Sequence, residues 1–193
     1  MSLNQFKSGF YGGTRQNRFL ISGNFPAPQD GSITSNTSGA NSSGGSFYHV
    51  RSTLIPTLQT STISYDYFGR KYNYPGEKLY STWSVSVMDD NPAAVSVTYN
   101  LWKRFQQWHD WINNHQTNTT LYINYPDSYK SSWTVRHLDL NGSKVLKEFT
   151  MHGCWPSTVS QLSLNMMTPN NMNMFSVVVV FDYIEITGIT SRT

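Results

Sequence analysis

The side chains of this 193-residue chain best suited to acid–base, nucleophilic or metal chemistry are five histidines and one cysteine. Their spacing argues against each use. His109 and Asp110 are neighbours in a helical pattern, and adjacent helical residues point about 100° apart, so they do not face each other. They read as two polar positions on a solvent face. His137 and His152 fall on opposite arms of a hairpin predicted at Asn141-Gly142 and are placed to meet across it. No third ligand, His-x-His pair or Cys-x-x-Cys accompanies them, so the case for a metal is weak. Cys154, beside Trp155 near a strand end, reads as a buried thiol rather than a nucleophile. No nucleophile elbow, phosphate loop or dinucleotide fingerprint is present. The expectation is a protein with no catalytic residues, no cofactor and no metal.

A different set of residues stands out. Tyr65, Tyr67, Phe68, Tyr72 and Tyr74 alternate with Arg70 and Lys71 around a turn predicted at Phe68-Gly69. Rigid aromatic area beside fork-like donors is what protein interfaces use. A surface that stacks sugars or bases looks similar, and a sheet edge shielded by tyrosines is the plainer reading.

Composition limits the classes of function. Charged residues make up 13% and aromatics 15% of the chain, a balance that favours β structure over helical bundles. The net charge of +3 comes from 14 basic and 11 acidic residues with no basic run, so the footprint of a dedicated nucleic-acid binder is missing. A lone cysteine rules out an internal disulfide framework and fits a reducing compartment. MSLNQFKSGFYGG shows no apolar core of signal-peptide length. The longest tight apolar run, Val177–Phe181, is far too short to cross a bilayer. The glycosylation-like triplets at Asn36 and Asn141 are therefore read as coincidence.

The elements that must position these residues are read from periodicity. One domain is expected over 1–193, with a polar arm at 1–16 and a low-complexity surface loop at 26–46 that cannot fold alone. Strands are predicted at 18–25, 47–54, 79–90, 131–140, 144–155, 159–165 and 174–189, besides those of the tyrosine hairpin. Pro56 and Asn91-Pro92 act as stops. In 79–90, Trp83, Val85 and Val87 share one face and Ser84 and Ser86 the other. Residues 174–189 are apolar on both faces at their centre, so both faces should be covered, the second by a helix or a neighbouring subunit. The stretch NLWKRFQQWHDWINN holds half of the chain's six tryptophans. There Leu101, Phe105, Trp108 and Ile112 form one helical stripe, widened by Trp102 and Trp111, with Asn100 as N-cap. The fold class is mainly β: an antiparallel sandwich or split barrel with one flanking amphipathic helix. The helix is read as a plug over an open end. Trp83, Phe105, Trp108, Ile112 and Trp155 are expected in the core.

The order of segments FGRKYNYPGEKLY, STWSVSVMDD, WKRFQQWHDW, GCWP and MFSVVVVFDYIEI resembles the tail tube proteins of contractile-tailed bacteriophages, whose structural relatives include the tube proteins of type VI secretion. The resemblance spans residues 17–187. It implies a split barrel with a helix at its flank and hexameric rings whose sheets join into one inner barrel. It also implies ring stacking into a tube, sheath and baseplate partners, and passage of double-stranded DNA without specific binding. The place it implies is the virion tail, assembled in the host cytoplasm, with no membrane. The insertion at 26–46 and the positive net charge depart from the usual pattern. A baseplate tube initiator of the same fold and a glycan-binding sandwich using the tyrosine hairpin are the rival readings, with an enzyme behind both. On the tube reading, Tyr65, Tyr67, Phe68, Arg70, Lys71, Tyr72 and Tyr74 contact a neighbouring subunit. Gln59 and Ser61, or their alternates Thr60, Thr62 and Ser64, would line the lumen, since small hydroxyls offer DNA no cation to grip.

Overall fold

The computed structural model describes residues 3–5, 14–26, 46–47, 50–89, 101–114, 119–120, 126–167 and 171–187. Asn36, Asn91-Pro92, the Asn100 cap, nearly all of the loop at 26–46 and most of the arm lie outside them. The elements in chain order are β1 (Phe19–Gly23), β2 (Ser46–Phe47), β3 (Val50–Leu54), β4 (Leu58–Tyr67), β5 (Arg70–Tyr80), β6 (Trp83–Met88), α1 (Leu101–Ile112), β7 (Asn113–Asn114), β8 (Thr119–Thr120), α2 (Pro126–Tyr129), β9 (Ser131–Leu138), β10 (Val145–Val159), β11 (Met174–Val180) and β12 (Tyr183–Ile186).

The strand pairings among the described residues are all antiparallel. Two sheets share one strand. The first half of β10 pairs with β9 and β12, and its second half pairs with β11. β9 continues to β1 and β2, while β11 continues to β6 and β3. The mainly β split barrel with a flanking helix is therefore what the chain builds.

The transfer of β10 between sheets has a local cause. Its pairing with β9 shifts between Met151 and Cys154, and Gly153 there has φ of 70°. Such a bulge bends a strand and re-aims the residues beyond it. The partner strand breaks at the same level. Residues 174–189 are not one strand: Phe181-Asp182 separates β11 from β12, and the Asp182 amide donates to the His152 carbonyl at 2.9 Å. The Asp182 carboxylate is held by Lys130 Nζ at 2.7 and 2.9 Å and sits where a Cβ on residue 153 would have to go. Gly153→Ala should therefore cost about 2–4 kcal/mol, from left-handed strain and the displaced ion pair. Thermal melts of this variant beside Asp182→Ala and the double variant check it. If the collision is the cause, Asp182→Ala will recover part of the loss.

Other boundaries also move. Leu79 and Tyr80 close β5, and Ser81-Thr82 separates them from β6, so 79–90 is not one strand. Residues 160–165 form no strand, because β10 runs to Val159 and the chain then leaves the sheet. Asn141-Gly142 is not a two-residue hairpin loop. The Asp139 carboxylate takes the Leu140 amide at 2.7 Å and the Asp139 carbonyl takes the Gly142 amide at 2.9 Å. The turn thus closes on Asp139, and the Asp139 amide meets the Lys144 carbonyl further out.

The alternation in β6 buries Trp83, Val85 and Val87 against Phe175, Val177 and Val179 of β11. Ile21, Trp133, Val135 and Met151 face them from the other sheet. α1 closes the space between. Leu101, Phe105 and Trp108 are buried, whereas Ile112 and Trp155, expected in the core, are half-buried at its rim. Trp102 packs against that rim too, and Trp111 is half-exposed. Phe105 meets Phe175 edge-on at 6.1 Å, so the helix lies on the core side of β11. It does not cover the second face, where Val178 and Val180 remain half-exposed. The cavity lined by Ile21, Trp83, Phe105, Trp133 and Val177 measures only about 10 Å³, room for at most one water. The tryptophan-dense helix is a plug, not a ligand pocket.

Candidate assembly interface

β4 and β5 pair with each other and, among the described residues, with no other strand. They continue directly from β3 and into β6, so the ribbon grows from the end of the second sheet where Leu54 and Ser84 pair. Its base is fixed by the Ser81 amide to the Thr57 carbonyl at 3.2 Å, the Thr57 amide to Ser81 Oγ at 2.7 Å, and Tyr80 against Phe181. Its tip is the expected turn at Phe68-Gly69, with φ of 46° and 75°. Both central residues at positive φ match the strand twist of a two-residue hairpin. Gly69 takes that conformation freely, while Phe68 does so against its own side chain. Phe68 is 89% exposed.

Register divides the ribbon into two unlike faces. Tyr67 opposes Arg70, Tyr65 opposes Tyr72, and Ile63 opposes Tyr74. These share one side, and the five large side chains among them are 47–67% exposed. The other side pairs Asp66 with Lys71, Ser64 with Asn73, and Thr62 with Pro75. The pairing shifts between Thr60 and Thr62, where a Cβ on Gly76 would strike Ser61 Oγ. Beyond that bulge Gln59 opposes Leu79 and Thr60 opposes Lys78. The interface candidates thus split: Tyr65, Tyr67, Arg70, Tyr72 and Tyr74 on the aromatic side, Lys71 on the polar side, Phe68 at the tip. The lumen candidates split likewise. Gln59 and Ser61 go with the tyrosines, and Thr60, Thr62 and Ser64 with the polar side. That polar side is not free of cations, as the hydroxyl-rich sequence of β4 implied, because β5 contributes Lys71 and Lys78 to it. Counting outward from the turn would have shown the split as far as Thr62; the bulge at Gly76 hides it further down.

The histidines stay apart. His137 opposes Lys147, and its Nε2–H donates to the Arg15 carbonyl, 2.8 Å away. His152 stacks on Tyr183 at 4.6 Å, with Nδ1 3.3 Å from Ser132 Oγ and Nε2 3.4 Å from Glu185. They are not brought together, and no cluster of three metal-ligating groups occurs among the described residues. Ser132, His152 and Glu185 have the residue types of a hydrolytic relay. Ser132 and Glu185 are exposed to water, however, and the group continues into a surface ladder of Thr134 with Thr150 at 3.2 Å and Arg136 with Glu148 at 2.7 Å. Cys154 is fully buried, and loss of solvation pushes its thiol from 9.0 up to about 12. It should resist thiol reagents at pH 8 until the chain unfolds. Because the folded value is raised, this burial costs no stability below pH 9.0. Stability then falls as pH rises from 9.0 towards 12, where only the unfolded chain ionises. Fast labelling of the native protein would contradict this.

What the ribbon offers is exposed aromatic surface. The model of the family described as phage tail tube protein matches residues 14–187. The chain belongs to the phage tail tube protein family. Tail tube protein gp19 of Enterobacteria phage T4 is 26% identical over 138 residues, which cover 72% of this chain and 80% of gp19. The tail tube protein of Serratia phage KSP90 is 27% identical over 127 residues, 64% of this chain and 65% of its own. Among solved structures, a chain of the PVC sheath/tube terminator, from an extracellular contractile injection system in the extended state, superposes with a TM-score of 0.58 at 15% identity. It covers 90% of this chain and 96% of that one. A chain of the PVC sheath–tube complex gives 0.57 at 15%, covering 98% and 99%. At such identities the likeness is one of fold. As a tail tube protein, the chain is a structural tube subunit, and its family belongs to the virion tail.

Proposed function

We propose that six copies form a ring, that rings stack into a hollow tube, and that double-stranded DNA passes through without being specifically bound. The tube contacts a sheath and a baseplate, assembles in the host cytoplasm and performs no catalysis. The observation that carries this is the β4–β5 ribbon. A lone two-stranded ribbon is marginal in water, and this one presents a run of large apolar side chains that its own body leaves uncovered. Such a surface is built to be covered. β3 also ends its sheet as an unpaired edge among the described strands, which ring closure would pair. Negative-stain microscopy of the purified protein tests the reading: rings or tubes with a central hole support it. Compact monomers retained on immobilised glycans would favour sugar stacking on the tyrosines instead.

In the tube, Thr60, Thr62 and Ser64 face the water-filled channel and Gln59 and Ser61 face protein. Lys71 lies opposite Asp66, which limits its pull on phosphate. Single cysteines at these five positions, treated with a maleimide on assembled tubes, should label at 60, 62 and 64 and stay protected at 59 and 61. The resident buried thiol leaves the background clean. Labelling by reagents too bulky to enter the channel would place this segment outside.

A further inference from the structure

The turn between β9 and β10 holds the one Asn-Gly pair of the chain, Asn141-Gly142. Neither the core nor the ribbon uses it. Residues 140–144 are exposed. Gly142 has φ of 73°, and a Cβ built on it would meet nothing within 4 Å. Its nitrogen therefore stands beside the Asn141 side chain with no side chain of its own and no neighbour crowding it.

That pairing is reactive. Once deprotonated, the Gly142 nitrogen attacks Asn141 Cγ. The new C–N bond closes a succinimide ring, the Cγ–Nδ2 bond breaks, and the side-chain nitrogen leaves as ammonia with a proton taken from water. Water then opens the ring. Attack at one carbonyl gives aspartate; attack at the other gives isoaspartate, with the main chain rerouted through the side-chain carbon. The net change consumes one water and releases one ammonia, and nothing is oxidised or reduced.

The folded turn opposes the first step. The Gly142 amide donates to the Asp139 carbonyl at 2.9 Å, and ring closure requires it to swing from there towards Asn141 Cγ. Asp139 braces this arrangement twice more. Its carboxylate accepts the Leu140 amide at 2.7 Å, and its own amide donates to the Lys144 carbonyl at 2.8 Å. We propose that Asn141-Gly142 is a site of spontaneous deamidation, held back in the folded protein by Asp139, a positioning residue that keeps the Gly142 nitrogen out of reach. Reaction puts a new carboxylate on the exposed turn. As isoaspartate it also adds a carbon to the backbone and moves Gly142 off the Asp139 carbonyl. None of this depends on the tube reading.

The full chain, aged in mildly alkaline buffer either native or in urea and then digested with trypsin, gives the test. The tryptic fragment 137–144, HLDLNGSK, contains no other asparagine. Mass spectrometry reads its conversion to the acid, and chromatography separates the aspartyl and isoaspartyl forms. Conversion should run about tenfold or more slower in the native protein than in urea, since the turn must open first. Asp139→Ala should narrow that gap by about threefold to tenfold. Asp139→Asn keeps an acceptor for the Leu140 amide and should retain most of the protection, with peptide fragmentation placing the change at 141. Asn141→Gln should abolish conversion. A fragment that stays unconverted in urea overturns the site. Equal rates in the native and unfolded chain, or a folded Asp139→Ala variant that converts no faster than the parent, overturn the protection. The comparison of native with unfolded parent needs no variant, so a substitution that fails to fold does not remove the test.

Discussion

Replacing Trp108 with alanine is expected to cost about 3–5 kcal/mol of folding stability, the range for removing a large buried aromatic. In a domain of this size that lowers the melting temperature by roughly 6–20 °C. Trp108 is 3% exposed and stacks parallel to Trp133 at 6.1 Å, while Phe25 meets it edge-on at 5.7 Å. Its indole N–H donates to the Tyr129 carbonyl at 2.8 Å, which ties the helix to α2. Alanine would remove the ring from a core whose existing cavity holds at most one water, and leave that carbonyl without its donor. Trp108→Phe keeps most of the packing and loses the hydrogen bond, so about half the effect is expected. Trp111, one turn on and half-exposed, should tolerate alanine at about 1 kcal/mol or less. Equal losses at 108 and 111 would contradict the plug.

The second large effect is on assembly. Arg70→Glu with Lys71→Glu should leave the folding stability within about 0.5 kcal/mol of the parent, since both side chains are exposed and neither enters the core. Tube elongation should all but stop. Arg70→Glu puts a carboxylate opposite Tyr67 in the aromatic face, and Lys71→Glu puts one opposite Asp66 on the polar side, so the tip carries three carboxylates. Like charges pressed into an interface cost several kcal/mol, enough to raise the concentration needed for growth by about a hundredfold or more. Pelleting assays across a concentration series, with circular dichroism to confirm the fold, measure this. Normal elongation would remove the ribbon tip from the interface.

Where local physics decides alone, the chain can be read directly. The stripe of Leu101, Phe105 and Trp108 marks the helix. The pair Phe68-Gly69 marks the ribbon turn, and the alternation around Trp83 marks the inward face of β6. The misreadings have tertiary causes. Residues 174–189 look continuous because nothing within them announces a break; Asp182 turns outward to meet Lys130 and to occupy the space over Gly153. Asn141-Gly142 carries a strong hairpin signal, but the Asp139 carboxylate captures the turn two residues earlier. The tyrosines mark a surface, and counting outward from the turn assigns its two faces as far as Thr62; below that, a bulge opposite Ser61 hides them.

The tube reading meets its strictest test in image reconstruction of the purified, assembled protein by electron cryomicroscopy. A helical tube of six-subunit rings with an open channel wide enough for a duplex is the expected result. Each β4–β5 ribbon should lie against another copy with its tyrosines covered. A protein that stays monomeric at every concentration with its ribbon free in solvent, or one whose rings have no through-channel, would contradict it.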